Sequence, residues 1–74
     1  MYCFFKVVFN PFYGTMDYVS ICDCYSFEMA EQIAVMLSQD TSNKYIVAEL
    51  INGEYVENKY LNYSNFLNAE LLNN

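Results

Sequence analysis

Residues 26–39 have the sequence SFEMAEQIAVMLSQ, and this stretch decides the fold. Its apolar residues recur at intervals of three and four, which is the spacing of one face of an α-helix. Ser26 carries a hydroxyl that can accept a hydrogen bond from a free amide of the first turn. The predicted inward stripe comprises Phe27, Ala30, Ile33, Ala34 and Leu37, widened by Met29 and Met36. The stretch therefore predicts one amphipathic helix that packs on a sheet.

Two strands are predicted before this helix. Residues 2–9 place apolar side chains on both faces, which is typical of a central strand. Pro11 and Gly14 mark a turn, because proline fixes φ and glycine permits positive φ. Residues 18–24 then form the second strand, so the order of strand, turn and strand predicts an antiparallel hairpin.

Two further strands, residues 45–51 and 54–60, flank the hairpin signal Asn52-Gly53. A two-residue turn at this signal would mix apolar and charged side chains on each face. A three-residue loop over residues 51–53 separates them, and because a slip of one residue moves every side chain to the other face, the cleaner separation favours this loop. One face then holds Tyr45, Val47, Glu49, Tyr55, Glu57 and Lys59.

The predicted fold class is α+β, with the element order ββαββ in a single domain over residues 1–74. Four strands form a mostly antiparallel sheet, and the amphipathic helix packs on one face. Residues 64–72 are a candidate short C-terminal helix, with Ser64 as its cap.

The charge of the chain limits its partners. Acidic residues outnumber basic ones by nine to three, which gives a net charge of −6. Proteins that bind DNA or RNA neutralise phosphates with Lys and Arg, so we expect no direct binding to nucleic acid or to an anionic membrane. No apolar run approaches the roughly 18 residues of a membrane-spanning helix. The charge instead predicts a basic protein partner, in particular a surface that otherwise holds nucleic acid.

Catalysis is not indicated. The chain has no histidine to activate a cysteine nucleophile. Cys22 and Cys24, with Cys3 on the neighbouring strand, do not reach the four ligands of a structural zinc site. We therefore expect no catalytic residue, no cofactor and no metal. The N-terminal residues do not resemble a secretory signal, so we expect reduced, buried thiols and a cytoplasmic location.

The sheet face turned away from the helix is the candidate binding surface. In the favoured register it mixes tyrosines with carboxylates, and we expect Tyr2 and Phe4 to join it. Tyrosine is enriched among the residues that dominate protein interfaces. The candidate partner-binding residues are Tyr45, Glu49, Glu54, Tyr55 and Glu57. The alternative is that the C-terminal helix or a second subunit covers this face.

The chain resembles small phage-encoded accessory proteins, among which the anti-CRISPR proteins are the best-known group. The resemblance lies in its length, its acidic balance, its Tyr- and Asn-rich composition, and a helix at residues 26–39 followed by the Asn52-Gly53 hairpin. It implies inhibition of a CRISPR effector by direct binding in the cytoplasm of the host cell, and it assigns no residue roles. The competing hypothesis is a homodimer or larger homo-oligomer that serves in assembly, in regulation or as a sponge for a small ligand.

Overall fold

The computed structural model describes residues 1–62, and within them the predicted order of strands and helix is confirmed. The elements are β1 (Tyr2–Asn10), β2 (Thr15–Cys24), α1 (Phe27–Ser38), β3 (Lys44–Ile51) and β4 (Glu54–Glu57). Every strand pair is antiparallel, and the strand order across the sheet is β2-β1-β3-β4. β1 is therefore a central strand, as its two apolar faces predict. The molecule is an α+β fold with α1 on one face of an open sheet.

Helix α1 begins where the sequence predicts. The Ser26 hydroxyl accepts a hydrogen bond of 3.3 Å from the backbone N–H of Met29. Ala30 and Ala34 are fully buried, because their small side chains let the helix approach the sheet closely. The prediction that Met29 and Met36 widen the buried stripe is wrong, since they are 53% and 69% exposed. A helix seated on alanines contacts the sheet along a narrow line, and the flanking methionines remain in solvent.

The core lies between α1 and the side of the sheet that faces it. Phe4 from β1 and Val47 from β3 are 0% exposed and pack against the helix alanines. Tyr2 contacts the edge of the Phe27 ring, with 6.0 Å between the ring centroids. The buried members of the core are Phe4, Cys24, Ala30, Ala34, Val47 and Leu61.

This core corrects the face assignment made from the sequence. Tyr2, Phe4, Tyr45, Val47 and Glu49 were expected on the face turned away from the helix, but they lie on the face that α1 covers. Both faces of β1 are apolar, so its composition does not decide which face receives the helix. The two polar side chains on β3 are accommodated because each makes a hydrogen bond within the chain.

The register of the β3–β4 hairpin is also corrected. Ile51 is paired with Glu54 and Leu50 with Tyr55, so the turn has two residues and not the expected three. Asn52 and Gly53 have φ angles of 52° and 81°, as a type I′ turn requires. Tyr55 and Glu57 therefore lie on the opposite sheet face from Tyr45 and Glu49.

Strand β4 ends at Glu57, three residues earlier than expected, because Asn58 turns the chain. The Asn58 side chain accepts a hydrogen bond of 2.8 Å from the backbone N–H of Leu61, which caps a helical turn over residues 59–62. Beyond the end of β4, the Asn62 side-chain amide makes the hydrogen bonds to β3 that a neighbouring strand would make. It accepts a hydrogen bond from the N–H of Val47 and donates one to the carbonyl of Val47. The predicted helix over residues 64–72, with its Ser64 cap, lies outside the described residues.

Candidate docking surface

The sheet face opposite α1, called the open face below, carries an apolar groove. No element among residues 1–62 covers this face. The groove has a volume of ≈ 420 Å³ and is lined by Phe5, Tyr18, Ile46, Ala48, Tyr55 and Glu57. Exposed apolar patches of this kind on a small protein are typical of interaction sites.

Two aromatic rings define the groove. Phe5 of β1 and Tyr55 of β4 meet edge to face across β3, with 5.4 Å between their centroids and 88° between their planes. The intervening β3 residue, Ala48, is small enough to let the rings meet. Tyr55 nevertheless remains 62% exposed, and Tyr18, at the other side of the groove, is 60% exposed. The Phe5 contact orients the Tyr55 ring while most of its surface remains available to a partner.

The predicted partner-binding residues separate into two groups. Glu54, Tyr55 and Glu57 lie together on β4, whose four residues are all exposed at the edge of the sheet. Tyr45 and Glu49 lie on β3 and face the helix side. The structure brings Tyr55 and Glu57 to the open face. Glu54 shares their edge strand but, as the partner of Ile51, lies on the helix side of the sheet with Tyr45 and Glu49.

Tyr45 has a structural contact. Its hydroxyl donates a hydrogen bond to the Asp40 carboxylate in the loop between α1 and β3. The pKa of Asp40 is held well below its usual range by the Asn43 amide first, and then by the hydroxyls of Tyr45 and Ser42. The same carboxylate raises the pKa of Tyr45, because it stabilises the protonated phenol. Tyr45 thus fixes this loop and is not free to act as an anchor.

Glu49 is also engaged within the chain. Its carboxylate accepts a hydrogen bond of 2.6 Å from the Asn58 side-chain amide. Glu57 accepts a longer one, 3.1 Å, from Asn62, but its side chain remains exposed at the groove. Of these two carboxylates, Glu57 is the one placed to meet a partner.

Sequence reasoning missed the residues that make the groove. Phe5, Tyr18 and Ile46 were not among the candidates. The signal that could have found two of them was the Asn52-Gly53 turn, whose two-residue form places Tyr55 on the same face as Leu50 and hence Ile46. Ile46 is paired with Phe5 in the neighbouring strand, so Phe5 must lie on the same face as well.

The surroundings of the three thiols disfavour the thiolate form. Cys3 and Cys24 are buried and Cys22 is half-buried. Burial raises the pKa of all three, and Asp23 raises that of Cys3 further through a hydrogen bond. A raised pKa keeps a thiol protonated, which makes it a weak nucleophile and a weak metal ligand.

Within residues 1–62, no cluster of three or more Cys, Asp or Glu side chains could hold a metal ion. In that same part of the chain, no helix has the length and apolar character needed to cross a membrane.

Comparison with known proteins gave no match: no family model fits the chain, and no curated protein or solved structure is significantly similar to it.

Proposed function

We propose that this chain is a non-enzymatic inhibitor that docks on a basic, nucleic-acid-binding surface of a host protein. The observation that carries the proposal is Tyr55, an exposed ring held beside an apolar groove that Glu57 also lines. Glu54 adds a second exposed carboxylate on the same edge strand, on the other side of the sheet. An aromatic anchor with carboxylates beside it suits a protein surface that presents Lys and Arg around an apolar patch.

Carboxylates and phosphates meet basic side chains in similar ways. Arg and Lys form charge-assisted hydrogen bonds with either group. The net charge of −6 would also speed the encounter with a basic partner and repel acidic ones. The acids on β4 would therefore occupy positions that nucleic-acid phosphates otherwise take.

The resemblance to phage accessory proteins suggests a CRISPR effector as the partner. A CRISPR effector has a strongly basic channel for its nucleic acids. Blocking that channel requires binding alone, and the chain would act in the cytoplasm of the host cell. The chain has no histidine to activate a nucleophile, and burial raises the pKa of its thiols, which supports a role without catalysis.

The test is inhibition of target-DNA binding by purified CRISPR effectors with bound guide RNA. The chain is expected to block DNA binding by one of them, and Glu54→Lys/Glu57→Lys is expected to weaken inhibition at least tenfold. The matched control is Glu28→Lys/Glu31→Lys on the helix, which changes the net charge equally at a site away from the groove. Equal losses in the two variants, or no inhibition of any effector, would refute the proposal.

Self-association through the open face is the second candidate function, and the largely apolar lining of the groove favours it. Copies joined in this way would form a regulatory or ligand-holding assembly. Tyr55→Lys would then convert an oligomer to a monomer, as measured by light scattering. If Tyr55→Lys leaves the oligomeric state unchanged while it abolishes effector inhibition, the open face is a docking surface for another protein.

A further inference from the structure

The outer edge of β2 is the second unusual surface of the molecule. β2 lies at the end of the sheet opposite β4, and its ten residues pair only with β1 among the described residues. Its side chains are exposed on both faces over Thr15–Ile21. A long edge strand of this kind presents unpaired N–H and C=O groups to another strand.

The backbone groups that point outward can be identified from the register. The Leu50 N–H donates to the Met1 carbonyl at 2.9 Å, so Met1 directs its backbone groups toward β3, and Phe5, four residues further along β1, does the same. Ser20 is paired with Phe5 on the other side, and its own N–H and C=O must therefore point away from β1. Alternation along the strand gives the same direction to Met16 and Tyr18.

We propose that a second copy of this chain pairs antiparallel with the outer edge of β2, with Tyr18 opposite Tyr18 of the second copy. The two four-stranded sheets then join into one sheet of eight strands. Met16 pairs with Ser20 of the second copy, and Ser20 pairs with Met16 of the second copy. Together with the central Tyr18 pair, these residues make about six backbone hydrogen bonds between the two chains. Such an interface is isologous and closed.

Charge and backbone geometry select this register. Centring the pair one residue earlier would place Asp17 opposite its own copy, and like charges directly opposite are destabilising. Centring it one residue later would bring Asp17 opposite Ile21, where the bulge between the β1 and β2 partners disrupts the strand. With Tyr18 at the centre, Asp17 lies opposite Val19 of the second copy.

The chosen register also places opposite charges near each other. Lys6 is the neighbour of Val19 in β1, on the helix side of the sheet. Asp17 of the second copy is then two strand spacings from Lys6, roughly 10 Å between backbones, which a lysine side chain can span over Val19. The Asp17 carboxylate accepts a hydrogen bond of 3.1 Å from the Asn10 amide of its own chain, which satisfies part of its hydrogen-bonding capacity and leaves its charge. This complementarity favours a second copy over an unrelated strand as the occupant of the edge.

The pairing has a consequence for the docking surface. Antiparallel pairing across a two-fold axis perpendicular to the sheet keeps both open faces on the same side. The two β4 strands then lie at the outer edges, seven strand spacings or roughly 34 Å apart. The dimer would present two copies of the Tyr55 site to one partner, and this consequence alone rests on the proposed function.

Light scattering after size exclusion tests the proposal directly. The wild-type chain is expected to have twice its chain mass of 8.7 kDa. Ser20→Pro removes an outward N–H without removing a β1–β2 hydrogen bond, so it is expected to give a folded monomer. Ser20→Ala keeps the N–H and is expected to remain a dimer. A monomeric wild-type chain at all concentrations, or a dimeric Ser20→Pro chain, would overturn the proposal.

A second set of variants guards against misfolding and separates the two proposals. Tyr18→Lys places two lysines opposite each other and is expected to dissociate the dimer at least tenfold more readily. Tyr55→Lys makes the same change on the same face but on β4, three strand spacings from β2, and it is expected to leave the dimer intact. Circular dichroism shows whether each variant is folded. A folded Tyr18→Lys dimer as stable as wild type contradicts the edge pairing, whatever its effect on effector inhibition.

Discussion

Asp40 is the residue that holds the connection between α1 and β3. Its carboxylate accepts hydrogen bonds from the Ser42 backbone and hydroxyl, the Asn43 amide and the Tyr45 hydroxyl. Each of these donors favours the ionised carboxylate, so its pKa is lowered. The loop is therefore fixed by one charge and depends on that charge being present.

The first prediction concerns pH. Because the pKa of Asp40 is lowered by folding, its stabilising contribution is complete above the ordinary value of 3.8 and is lost as pH falls below it. Asp40→Asn is expected to be less stable at neutral pH and to lose less stability on acidification. Urea unfolding at a series of pH values measures both effects.

Tyr45→Phe is the control for this pH prediction. It removes one donor and keeps the carboxylate, so its profile should lie between those of wild type and Asp40→Asn. Parallel profiles for wild type and Asp40→Asn would show that the ionised carboxylate does not hold this loop.

In the β3–β4 hairpin, the sequence predicted the position of the turn but not the register of the two strands. Asn52-Gly53 correctly located the turn, and its preference for a two-residue type I′ turn was the better guide to register. The requirement for clean face separation led to the wrong loop, because Glu49 can face the helix side when Asn58 donates to it. A hydrogen bond to a residue beyond the strand is not visible in the alternation of the strand itself.

The turn gives the second prediction. Gly53 has a φ of +81°, a conformation that side chains with a Cβ rarely adopt. Gly53→Ala is expected to lower the free energy of unfolding by about 1 kcal/mol, measured by urea denaturation. Gly53→Asn should lose less, because asparagine tolerates the left-handed region. An unchanged stability in Gly53→Ala would be inconsistent with this turn.

Helix α1 was predictable in position but not in the width of its contact. Ser26 as the cap and the spacing of Ala30 and Ala34 follow from the sequence. The exposure of Met29 and Met36 does not, because it depends on how closely the helix approaches the sheet. The distance between two packed layers is a property of both surfaces together.

The whole molecule has two unlike sheet faces and two unlike edges. The central position of β1 could be predicted, but the face that α1 covers could not, because Phe4 and Phe5 are equally apolar neighbours. Of the predicted partner-binding residues, Tyr55 and Glu57 lie on the open face. The groove beside them depends on pairing across β1, β3 and β4, which one sequence does not reveal.

The two edges are suited to different partners. β4 carries Glu54 and Glu57 within four residues, whereas the outward-pointing backbone of β2 is flanked mainly by uncharged side chains. A charged edge resists pairing with another strand of the same chain, and a weakly charged edge permits it. We therefore propose a basic partner for β4 and a second copy for β2.

Hydrogen–deuterium exchange on the chain, alone and mixed with the CRISPR effector proposed as its partner, tests the proposed docking surface most directly. The backbone amides of β4 and of the Asn52-Gly53 turn are expected to exchange more slowly in the complex, while those of α1 are unchanged. Slower exchange along α1 around Glu28 and Glu31, with β4 unchanged, would contradict the assignment of the open face as the working surface.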